Sequence, residues 1–114
     1  MILWHNPQCS KSRATKEYLD NQNLNYTIRE YLIDNPKKDE LIDIIDKLGF
    51  SSPIDMMRTK EDEFKELNLS SSNITKEQLI DAMIKYPKLI ERPILINNNK
   101  AAIARPLENI IKII

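Results

Sequence analysis

Apolar positions along this chain fall into short runs and helical stripes, never one long block. Ile2 to Trp4 forms a brief apolar run that reads as a buried strand. Asn6-Pro7 ends it, and from Ser10 through Leu19 the residues favour a helix. Asn21 to Asn25 is turn-like, and Tyr26 to Ile33 reads as a second strand, with Tyr26 and Ile28 alternating against polar neighbours. Asn35-Pro36 predicts a helix start, Asn as cap and Pro as first helical residue. Leu41, Ile44, Ile45 and Leu48 then lay one apolar stripe along that helix, and Gly49 stands where a left-handed C-terminal cap belongs.

Farther on, Pro53 predicts a short helical turn through Met57, and Glu61 to Leu67 another. Thr75-Lys76-Glu77-Gln78 has the form of a capping box, with Ile74 and Leu79 at the flanking staple positions. The helix it opens carries Leu79, Ile80, Met83 and Ile84 and stops before Pro87. Ile94 to Ile96, three asparagines, then Lys100 to Ala104 predict a β-hairpin, since Asn tolerates the positive φ of such turns. Pro106 predicts the start of a final helix with Leu107, Ile110, Ile111 and Ile114 on one face. The order is β-α-β, a helical block, then β-β-α. It implies an α/β fold in which a small mixed four-stranded sheet is flanked by helices, with the first strands parallel and the last pair antiparallel. This is the thioredoxin-like arrangement: a single domain over residues 1–114 with a helical insertion at about 37–89.

Composition narrows the function classes. Seventeen Lys+Arg balance seventeen Asp+Glu, so broad attraction to nucleic acid or an anionic membrane is not expected. No apolar run approaches the roughly 20 residues that span a bilayer. The opening residues lack a signal-peptide pattern, and the chain has one cysteine, so a reducing, cytoplasmic setting is expected. The working expectation for assembly is a monomer. Valine is absent and isoleucine takes its place in strands, which reads as a compositional bias.

That cysteine is the centre of the candidate chemistry. Cys9 lies at a helix start, where unpaired N–H groups and the helix dipole favour a thiolate and make an anion site. Ser10 and Ser12 are placed to donate to the sulfur, Lys11 and Arg13 lie in the same first turn, and His5, the sole histidine, is a second group able to lower the thiol pKa if protonated. A free Cys is most often a small buried hydrophobe. The place of Cys9 between Pro7 and a polar helix start favours an accessible nucleophile instead. With no second thiol in the chain, any redox cycle needs a thiol from another molecule. Arg92 and Arg105 each precede a proline, which fixes extended backbone at strand ends. Arg58 follows Met56-Met57. Planar guanidinium groups suit bidentate oxyanion binding, although isolated arginines are usually surface ion-pair partners.

The motif His5-Asn6-Pro7-Gln8-Cys9-Ser10-Lys11-Ser12-Arg13, together with Arg58, Glu91-Arg92-Pro93 and Arg105-Pro106, resembles the arsenate reductase family that depends on glutathione and glutaredoxin. The likeness is to its chromosomal arsenate reductase-like subgroup, and it extends to the related Spx-type regulators. The resemblance implies that Cys9 attacks arsenate, that Arg58, Arg92 and Arg105 hold the oxyanion, and that His5, Ser12 and Arg13 support the thiolate. It also implies a cis Arg92–Pro93 bond beside the thiol, no bound cofactor, glutathione as co-substrate and glutaredoxin as partner. Two other readings stay open. One is a polymerase-binding regulator, although the second cysteine of the Spx-type Cys-x-x-Cys switch is here Ser12. The other is a glutathione-linked transferase acting on mixed disulfides.

Overall fold

A computed structural model describes residues 1–114. The chain divides into two compact units: Met1–Asp34 with Arg92–Ile114, and Asn35–Glu91. The first unit is a four-stranded mixed sheet with helices. Its strands are β1 (Ile2–Trp4), β2 (Thr27–Arg29), β3 (Ile94–Asn97) and β4 (Lys100–Ile103), in the order β2-β1-β3-β4. β1 runs parallel to β2 and antiparallel to β3, and β3 pairs antiparallel with β4. The helix α1 (Ser10–Asn21) makes the β1–β2 crossover, as a parallel pair requires. Leu3, Leu19, Leu95, Ala104 and Ile110 form the buried core of this unit. The β3–β4 turn has Asn98 at φ 56°, the left-handed conformation its asparagines predict.

The second unit is helical. It contains α2 (Lys38–Leu48), a 3₁₀ turn at Pro53–Met56, α3 (Asp62–Glu66), α4 (Lys76–Lys85) and a 3₁₀ turn at Pro87–Leu89. α2 ends on Gly49 at φ 74°, and α4 begins with the Thr75–Gln78 capping box. α2 and α4 lie against each other, tied at their N-terminal turns by the Lys38–Glu77 ion pair at 2.5 Å. Met57 bridges Ile90 in antiparallel fashion, with Arg58 N–H donating to Leu89 O at 2.7 Å and Glu91 N–H to Met56 O at 2.8 Å.

Three boundaries differ from expectation. The second strand stops at Arg29, because Glu30 O accepts the N–H groups of Ile33 and Asp34 and turns the chain. Arg29 closes that turn on the Asp34 carboxylate at 2.8 Å while its guanidinium lies over Trp4. α2 begins at Lys38 rather than Pro36, since Glu40 Oε1 accepts the Lys37 N–H and makes Lys37 the cap. The final helix, α5 (Glu108–Ile111), is only one turn long. Asn97 Nδ2 donates to Ile113 O, which pulls the C-terminus over β3 and turns Ile110 and Ile113 inward. Ile111 and Ile114, expected on the apolar face, are exposed.

Candidate active site

The loop between β1 and α1 is held from both sides. On the inner side Ser12 Oγ accepts the Asn6 N–H at 3.0 Å and is hydrogen-bonded to His5 Nδ1 at 2.6 Å. On the outer side Arg13 Nη1 donates to Pro7 O at 3.0 Å. Asn6 Oδ1 accepts the Gln8 N–H, and Cys9 N–H donates to Asn6 O, so the loop closes as two overlapping turns that both start at Asn6. Its origin is fixed by His5 N–H donating to Arg29 O across the sheet. Cys9 then occupies the N-cap of α1 with extended φ/ψ, and its side chain lies over the first turn.

Two arginines from the far end of the chain meet this cysteine. Arg105 Nη2 donates to Cys9 Sγ at 3.5 Å, and Arg105 Nε donates to Arg92 O at 2.7 Å. Arg92 acts on the thiol through a hydrogen bond and through its charge. Its Nε and Nη1 are buried and have no hydrogen-bond partner. Both Arg92–Pro93 and Arg105–Pro106 are cis; the family resemblance implies only the first.

Burial by itself pushes the Cys9 thiol up, but the Ser12 N–H, the Arg92 guanidinium and the Lys11 N–H outweigh it and hold the thiol below its ordinary value. The thiolate is therefore favoured by backbone and guanidinium groups, not by the hydroxyls that the sequence suggested. Ser12 directs its hydroxyl to His5 and Asn6, and the Ser10 side chain is exposed to solvent. Arg13 braces the loop rather than the thiolate.

His5 needs a similar correction. It is only 5% exposed, and burial is the largest influence, lowering its pKa below the ordinary value. A neutral imidazole bonded to Ser12 supplies no positive charge to the thiol; it orders the loop instead. Cys9 itself is 8% exposed, against the expectation of an accessible thiol, because Arg92 and Arg105 come in over it from strand ends far along the chain.

Arg58 belongs to the second unit, where it pairs with Glu61 at 2.5 Å and with Glu91 at 3.8 Å. Pro93, just before β3, is buried and its carbonyl accepts the Ala104 N–H. Asn6 is the functional residue that sequence reasoning passed over. The Asn-Pro pair just before the cysteine was its signal, read only as a strand breaker.

A model of the ArsC family matches residues 4–113. The chain belongs to the ArsC family. It is 45% identical over 108 residues to an arsenate reductase of Neisseria meningitidis, covering 95% of this chain and 92% of that one. It is 41% identical over 114 residues to an arsenate reductase of Haemophilus influenzae, covering 100% and 98%. An arsenate reductase structure from Vibrio cholerae superposes with a TM-score of 0.97 at 42% identity, covering 99% of this chain and 96% of that one. The ArsC-family protein thus has the thioredoxin-like fold its element order predicts. In it, one thiol and two guanidinium groups share the N-terminal end of α1.

Proposed function

We propose that this chain reduces arsenate to arsenite with Cys9 as nucleophile. The observation that carries the proposal is the pair of buried, unpartnered N–H donors on Arg92, whose guanidinium acts on a thiol that Arg105 also touches. Buried donors in native proteins nearly always have a partner. A tetrahedral oxyanion over the sulfur supplies acceptors for them. A transferase acting only on mixed disulfides has no use for these donors, which favours the oxyanion reading.

In the first step Cys9 Sγ bonds to arsenic, and one arsenate oxygen leaves as water after taking up protons. A second thiolate then attacks Cys9 Sγ. The S–As bond breaks, its electron pair stays on arsenic, and As(V) becomes As(III) as the two sulfurs are oxidised to a disulfide. The chain has a single cysteine, so that thiol is external. We assign it to glutathione, with glutaredoxin reducing the mixed disulfide afterwards in a cytoplasmic setting. Arsenate-dependent NADPH oxidation, coupled through glutathione, glutathione reductase and glutaredoxin, tests this. Turnover that needs arsenate, glutathione and Cys9 is expected; turnover indifferent to arsenate would refute it.

A further inference from the structure

Beside Arg105 a groove of about 430 Å³ runs between α1 and the β4–α5 connection. Small-molecule sites span about 300 to 1,000 Å³. Ala14 and Thr15 line it from the helix and Leu107 from the connection, with Lys11, Arg105 and Glu108 as its charged members. Lys11 and Glu108 take part in no ion pair, so their charges are uncommitted. We propose that this groove seats the external thiol: a tripeptide-sized molecule carrying two carboxylates and one ammonium group, of which glutathione is the test case. The inference deepens the proposed arsenate reduction and rests on it for the need of an outside thiol.

Two arguments place that ligand here. The charges are its mirror: Lys11 and Arg105 answer two carboxylates, and Glu108 answers an ammonium group. The position is right as well, since Arg105 both lines the groove and donates to Cys9 Sγ, so a thiol seated there is one guanidinium away from the sulfur it must attack. A second groove of this unit, about 610 Å³ near Met1, Tyr26 and Ile28, has Asp20 and neither Lys nor Arg in its lining, which disfavours a dicarboxylate. In the resolving step the bound thiol loses its proton to solvent and its sulfur bonds to Cys9 Sγ. The bond from Sγ to its previous partner breaks, and that partner leaves with the electron pair.

The test uses no arsenate. Cys9 is converted with Ellman's reagent to its mixed disulfide with thionitrobenzoate, and release of the coloured thiolate is followed with glutathione or 2-mercaptoethanol. Saturation with glutathione and a linear response to 2-mercaptoethanol are expected. Ala14→Trp, which fills the groove, slows glutathione by about tenfold and leaves 2-mercaptoethanol unchanged. Glu108→Lys raises the glutathione concentration needed for half-saturation. A linear response to glutathione would overturn the proposal, as would Ala14→Trp slowing both thiols alike. Slowing only of reduced glutaredoxin would also overturn it, making the groove a protein-docking face. A saturable glutathione step in a protein without arsenate turnover sinks the arsenate reading and leaves the groove standing.

Discussion

Replacing Arg92 with Met keeps the length and apolar stem of the side chain and removes only the guanidinium. The bond from Arg105 Nε to Arg92 O uses the backbone, so it survives the substitution and keeps Arg105 in place. Two effects are lost together. The thiol loses a hydrogen bond and a positive charge that favour its ionised form, and the oxyanion loses two donors. Removing one donor to a developing oxyanion typically costs about 10²–10³ in kcat, or roughly 3–4 kcal/mol. The two effects separate with pH. In Arg92→Met the midpoint of Cys9 alkylation by iodoacetamide moves to higher pH, while its alkaline plateau stays at the wild-type level. At a pH where the thiol is fully ionised in both proteins, arsenate turnover remains down by about 100-fold or more. Full recovery of turnover at alkaline pH would refute the oxyanion role and leave Arg92 as a partner of the sulfur alone. A plateau that falls along with turnover would point instead to a damaged fold.

Three other perturbations probe the frame around the thiol. Ser12→Ala strips the partner from the Asn6 N–H and from buried His5 Nδ1, and should cost about 1–3 kcal/mol in thermal or denaturant unfolding; unchanged stability would count against the loop account. His5 has its folded pKa lowered, so the unfolded chain binds more protons below about 6.5 and stability is fully present above that pH. Stability should therefore decline as pH falls through the folded value, and His5→Gln should flatten that part of the curve; an unaltered profile would contradict the assignment. Arg58→Met removes the partner of the Glu61 and Glu91 carboxylates and should cost about 1 kcal/mol or less in denaturant unfolding without shifting the alkylation profile. A shifted profile would make Arg58 a partner of the thiol.

Local pattern made the element order legible. Gly49, the Thr75 capping box and the asparagine turn each carry their geometry in one or a few adjacent residues. What local pattern missed depends on contacts between distant segments. The alternating segment Tyr26–Ile33 looked like one strand because nothing in it reveals that Glu30 O accepts two amides downstream. The last helix looked amphipathic at i, i+3, i+4 and i+7 until Asn97 pulled Ile113 over the sheet and reset the buried face. At the site, residue types were readable and partners were not. The Ser12 and His5 side chains could equally have faced the sulfur or each other, and they chose each other. The arginines looked like surface residues singly; pairing of Ile94 with Ile103 sets Arg92, before β3, beside Arg105, after β4, and both reach Cys9.

The most direct measurement is a single turnover: stoichiometric protein, arsenate and glutathione, with arsenite quantified and Cys9 followed by intact mass. The account predicts about one arsenite per protein, the gain of one glutathione at Cys9, and neither product from Cys9→Ser. Arsenite formed equally by Cys9→Ser would contradict it. So would a wild-type protein that alkylates readily at Cys9 yet yields no arsenite.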